Sequence, residues 1–283
     1  MGLFLYKIMS LKQEVPRELQ QFAELIDKAS GRYGYNEIFE DWVDYMIACF
    51  SFEGDPKLVE HLKKKYGDVY AVFDNLLREY INVCNRELGR KEWYDGLGII
   101  YETISSRWKS SRMGQFFTPP SLVDVMVGIS EIDENVSGKT VCDPACGSGR
   151  FLIAHHAHNP KNYQYGQDLD RICAKMTAVN MMIHGCRGEV ACMNTITMEW
   201  YFGFYINPYI KMFGKPQIVP VKKYEDSIFY AGGSIFEQNK KKESKQLTVV
   251  DVGELKKEPV KKEVIKQVIV KVEPAQIAQL SLF

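Results

Sequence analysis

The chain has 283 residues, 46% hydrophobic and 25% charged, with 36 basic side chains against 36 acidic ones. This is the composition of a globular protein and excludes a collagen-like, wholly disordered or disulfide-dense chain. With zero formal net charge, nucleic-acid binding would need a local patch rather than bulk electrostatics.

Residues 1–6 carry neither a signal-peptide pattern nor the Ser or Thr of a myristoylation signal. No apolar run in the sequence approaches the ~20 residues of a membrane helix. Seven cysteines without an export signal read as reduced thiols in a cytoplasm. Residues 1–110 form a predicted helical region. In 38–50 the apolar positions Ile38, Phe39, Trp42, Val43, Met46 and Cys49 make one helical stripe, with Asn36 as candidate cap. Over 69–84 the spacing of Val69, Val72, Phe73, Leu76, Leu77 and Tyr80 predicts a second helix, capped by Asp68. Leu97, Ile100, Tyr101 and Ile104 mark a third.

From residue 111 to 236 the rhythm changes to alternating strand and helix. Strands are predicted at 139–142, 163–167, 189–193 and 203–206, with helices at 150–158 and 170–184 between the first three. Strand–helix–strand units of this length predict an α/β fold with a parallel, doubly wound sheet. Residues 237–283 hold ten lysines, seven acids and no aromatic before Phe283. So little apolar area predicts a disordered Lys/Glu-rich tail.

The chemistry concentrates in Asp143-Pro144-Ala145-Cys146-Gly147-Ser148-Gly149-Arg150-Phe151. A strand ends, glycines permit a tight turn and close backbone approach, and a helix begins with its amides facing the ligand. Asp168 follows Gly149 by 19 residues, at the position where an acidic side chain grips ribose hydroxyls. A glycine turn alone suits a nicotinamide dinucleotide, but a carboxylate at the loop mouth repels a pyrophosphate and attracts a cation. S-adenosylmethionine, a phosphate-free nucleoside with ammonium and sulfonium groups, fits that demand. Asp170 reads as a helix cap. His155, His156 and His158 point to different faces of one helix and show no metal-ligand spacing.

Four blocks together resemble the adenine-N6 DNA methyltransferases, most of all the modification subunits of type I restriction–modification systems, over roughly residues 95–200. Gly114-Gln115-Phe116-Phe117-Thr118-Pro119 is similar to the family segment that closes over the methionine part of the cofactor; Thr118-Pro119-Pro120 also reads as a plain helix start. The Asp143, Ala145, Cys146, Gly147, Gly149 and Phe151 block resembles the family's glycine loop. Gly166-Gln167-Asp168 resembles its ribose-binding turn, and Asn194 stands where the family hydrogen-bonds the cofactor's adenine. The resemblance implies a Rossmann-like S-adenosylmethionine-dependent methyltransferase sheet, methyl transfer to adenine N6 in DNA, and a specificity or second methyltransferase subunit as partner.

The same resemblance calls for Asn-Pro-Pro-Tyr at the end of a fourth strand, where the amide accepts the N–H bonds of a flipped adenine and the ring stacks on it. The candidate is Asn207-Pro208-Tyr209, with one proline in place of two. An ordinary Asn-Pro turn is the competing reading. A complete family core also continues with three more strands, so a truncated or partner-completed sheet is expected. Two functions therefore stay open: a DNA methyltransferase, and a catalytically impaired cofactor-binding subunit of a modification complex. The final residues, Gln279-Leu280-Ser281-Leu282-Phe283, resemble the pentapeptide that docks bacterial proteins on the DNA polymerase III β sliding clamp. That implies a bacterial cytoplasmic protein tethered near replicating DNA.

Overall fold

The computed structural model of the chain describes residues 10–107, 117–130 and 137–230. Six helices come first: α1 (Leu11–Glu14), α2 (Gln20–Ala29), α3 (Tyr35–Phe50), α4 (Pro56–Tyr66), α5 (Val72–Leu88) and α6 (Gly96–Arg107). The predicted stripes supply most of the buried positions, although Cys49 at the end of the α3 stripe is exposed. Ile38, Phe39, Trp42, Val43 and Met46 of α3 are fully covered. The Trp42 ring meets Phe22 of α2 edge-on at 4.8 Å and Tyr80 of α5 at 5.4 Å. Leu97, Ile100 and Ile104 of α6 are likewise sealed.

Two helix starts differ from expectation. Gly67–Val69 is a separate 3-10 turn and α5 begins only at Val72. Asp68 pairs with Arg32 at 3.1 Å instead of capping. The N-cap of α3 is Gly34, which leaves Asn36 inside the first turn.

The remaining elements are α7 (Pro120–Ser130), β1 (Thr140–Asp143), α8 (Arg150–His158), β2 (Tyr163–Asp168), α9 (Arg171–Ile183), β3 (Gly188–Asn194), β4 (Glu199–Ile206), α10 (Ile210–Phe213) and β5 (Ile218–Pro220). The sheet order is β1-β2-β3-β4-β5. β1, β2 and β3 run parallel, linked through α8 and α9. β4 corrects the expectation of an all-parallel sheet, because it pairs antiparallel with β3, and β5 antiparallel with β4. The reason is the short link between β3 and β4, residues 195–198, whereas a parallel crossover takes a dozen residues or more. Among the described residues β1 and β5 are the edge strands of the sheet.

One hydrophobic core runs from Leu11 through Trp42, Leu97 and Met176 to Ile218. The helical region and the sheet therefore share an interior across the expected boundary at 110/111. Lys175 of α9 adds an ion pair to Asp44 of α3 at 2.6 Å. All seven cysteines are free. Among the described residues no helix is long and apolar enough to cross a membrane.

Glu189 of β3 is 1% exposed and accepts hydrogen bonds from the Ser227 hydroxyl and the Ile228 amide, which fasten the segment after β5 onto the sheet. Burial pushes its carboxyl up to about 7. A folded-state pKa above the ordinary value means that the stability this group contributes is complete below about pH 4.5 and is lost as pH rises through about 7. Urea unfolding should show stability falling by on the order of 3 kcal/mol between pH 5 and 9. Glu189→Gln should flatten that dependence; an equally steep profile in the variant would assign it elsewhere.

Candidate functional site

The candidate site lies at the carboxyl ends of β1, β2 and β3, where Asp143, Asp168 and Asn194 end their strands. After Asp143 the chain turns through Gly147 (φ +56°) and Gly149 (φ +87°) before α8 starts. Both values lie in the left-handed region where a side chain is strained. Close packing adds a second restriction. A Cβ on Gly149 would stand 3.0 Å from Thr177 Cγ2, and one on Gly147 would stand 3.0 Å from Phe117 Cδ1. Cys146 is buried under the loop, with its amide donating to Gln167 O at 2.9 Å. Ala145 is exposed at the mouth and donates its amide to Asp143 Oδ1 at 3.1 Å.

Asp168, at the end of β2, joins the two strand ends. Its Oδ2 accepts from the Gly147 amide and its Oδ1 from the Asp170 amide, each at 2.8 Å. Burial raises the Asp168 carboxyl above its usual range despite these bonds. Burial also raises Asp143, helped by the charge of Asp168. Among the described residues neither carboxylate has an ion-pair partner. Two acids without ion-pair partners among the described residues flank the glycine loop, an arrangement that favours a cationic ligand carrying hydroxyls and disfavours a phosphate.

Other expected residues sort themselves by position. Phe117 lies over Gly147. Pro119 accepts from Leu122 and Val123 at the start of α7, so the helix-start reading also holds for it. Thr118 contributes its carbonyl to Arg150 Nη1 at 3.2 Å. Gln115 and Phe116 lie outside the described residues. Asn194 ends β3, and its Oδ1 accepts from Ile196 N and Thr197 N. Asp170 caps α9 through Ile172 N. Phe151, half-buried, packs against Val123, Val127 and Ala154 between α7 and α8 and also against the main core. Burial lowers the His156 imidazole to about 4, so it is neutral.

Asn207, Pro208 and Tyr209 are a correction. Because β4 is antiparallel, Ile206 sits opposite Gly188 at the start of β3, whereas Asp168 sits opposite Cys192 near its end. Four residues of strand separate those levels, about 13 Å at 3.3 Å per residue. Asn207 is fully buried there. Its Nδ2 donates to Met182 O and Cys186 O, and its Oδ1 accepts from Gln217 N at 2.8 Å. An amide with its groups so committed has nothing to offer a base at the candidate site. Tyr209 instead joins an exposed cluster with Phe52 and Phe213. Asn207→Ala should therefore cost about 3 kcal/mol of stability by stranding three buried polar groups. In the same variant cofactor affinity at the candidate site should not change; a tenfold loss in calorimetry would restore Asn207 to the site.

A hub absent from the sequence expectations supports the loop. Asp95, just before α6 and 3% exposed, accepts four hydrogen bonds. Gly98 N and Asn180 Nδ2 reach Oδ1 at 2.7 Å, Ser148 Oγ reaches Oδ2 at 2.6 Å, and Arg150 Nε reaches Oδ2 at 2.5 Å. Gly98 is required here, since a Cβ would fall 2.0 Å from Asp95 Oδ2. The one local signal is an Asp standing before a helix, which reads as an N-cap.

These features describe a glycine loop flanked by two carboxylates at the carboxyl ends of the parallel strands of an α/β sheet. Residues 92–203 match the family model for N-6 DNA methylases. The type I restriction enzyme MjaVII methylase subunit of Methanocaldococcus jannaschii is 30% identical over 187 residues, covering 60% of this chain and 32% of that protein. The HindI methylase subunit of Haemophilus influenzae is 35% identical over 136 residues, 41% of this chain and 30% of that protein. A solved type I restriction-modification methyltransferase subunit from Streptococcus thermophilus matches at 20% identity, over 61% of this chain and 38% of that one, with a TM-score of 0.30. The chain thus spans about a third of the length of the curated relatives it matches.

Proposed function

We propose that this chain is an N-6 DNA methylase component that binds S-adenosylmethionine and acts in methyl transfer to adenine N6 in DNA. The observation that carries the reading is the glycine loop held between Asp143 and Asp168. Asp168 would take the ribose hydroxyls, Asp143 the cationic end, Asn194 the adenine, and Phe117 would shield the methionine part. When bound, the cofactor supplies an activated methyl group. The chain's own contribution is to orient that nucleoside, neutralise its charge and exclude water from it.

The position of Asn207 favours a second reading, in which this chain is the cofactor-binding subunit and the base-activating group comes from outside the described residues. Radiolabelled methyl transfer to mixed-sequence DNA by the purified full chain separates the two. Incorporation into adenine supports the enzyme. Cofactor binding by calorimetry without incorporation supports the subunit, and absence of binding removes both. The relatives' names, type I restriction enzyme methylase subunits, support a specificity or second methyltransferase subunit as partner.

Residues 279–283 lie outside the described residues, and docking on the bacterial sliding clamp rests on their sequence alone. Deleting them should abolish co-elution with the clamp. A bacterial cytoplasmic location belongs to the same reading.

A further inference from the structure

Arg150, the first residue of α8, has its side chain 6% exposed and is gripped from two sides by the helical region. Asp95 takes its Nε, and Glu102 of α6 takes Nη2 at 2.6 Å. Its remaining nitrogen, Nη1, donates to the carbonyl of Thr118. The guanidinium carbon stands 5.3 Å from the centre of the Phe117 ring. That ring is stacked in turn on Tyr101 of α6 at 5.8 Å and lies against Gly147. A planar, always-charged fork thus spans three elements at once: α6, the glycine loop, and the segment over it.

Asp95 is saturated and fully interior, so it belongs to the fold. Glu102 differs: its side chain is 38% exposed and Arg150 is its partner among the described residues. Removing the Glu102 charge leaves Arg150 anchored on Asp95 but frees the end of the guanidinium that points to Thr118 and Phe117.

We propose that Glu102 is a positioning residue that, through Arg150, latches Phe117 over Gly147 and so sets how long a nucleoside stays in the candidate site. The inference rests on the candidate site being the S-adenosylmethionine site. It makes the helical region part of cofactor retention.

The test follows dissociation of radiolabelled S-adenosylmethionine from the full chain after an unlabelled chase. Glu102→Gln should release it about tenfold faster, one decade being ~1.4 kcal/mol, while the melting temperature stays within a few degrees. Glu102→Asp should recover part of the slow phase. Phe117→Ala should accelerate release similarly, and the double variant should release no faster than either single one, because both act through one latch. Equal release from wild type and Glu102→Gln, or accelerations that multiply in the double variant, would overturn the latch and leave the binding site standing. A wild-type chain that binds no cofactor would overturn the site itself, and the latch with it.

Discussion

Asp95→Ala is expected to lower folding stability by on the order of 4 kcal/mol, the largest loss from any single truncation considered for this chain. The substitution strands four donors at once, three of them neutral and one the Arg150 guanidinium. Glu102 remains beside Arg150, which limits the loss to that of a weakened rather than a wholly unpaired buried charge. Asp95→Asn keeps the volume but removes the charge, and turns an NH2 group toward donors. It should cost roughly half as much. Urea unfolding followed by circular dichroism measures both. A midpoint within error of wild type for Asp95→Ala would mean that the hub contributes nothing to the fold.

Asp168→Ala should weaken S-adenosylmethionine binding by about 100-fold or more, the worth of two hydrogen bonds to a charged acceptor. Part of that loss is indirect, because Asp168 also holds the Gly147 amide and with it the loop. Asp168→Asn separates the contributions: its carbonyl can still accept from Gly147, so it should retain more affinity than alanine. The pH dependence has a fixed sign. Asp143 and Asp168 are both raised by burial, and a cationic ligand prefers them ionised. Affinity in the wild type should therefore fall as pH drops into the raised carboxylate range, and calorimetry across pH 4–8 would read it. Equal titrations for wild type and Asp168→Ala would remove the ribose assignment.

Much of the candidate site was readable along the chain because its requirements are local. Gly147 and Gly149 adopt left-handed turns that other residues avoid. Asp170 caps the helix it precedes. The stripes of α3 and α6 recur with the helical period that buries them. The Asn207 turn was equally visible as a motif, yet its meaning depended on the direction of β4. That direction was set by the four-residue link after Asn194, too short for anything but a hairpin. Once β4 reversed, a motif of the right type arrived at the wrong end of the sheet.

Asp95 was illegible for a different reason. Its partners Ser148, Arg150 and Asn180 lie 53, 55 and 85 residues away, and no period or spacing connects them. Turn chemistry and apolar periodicity are written residue by residue, since backbone sterics and helix geometry act over a few positions. Which buried polar groups meet is settled only when α6, α8 and α9 close on one another, because desolvation then forces each donor to find an acceptor among whatever the packing brings near.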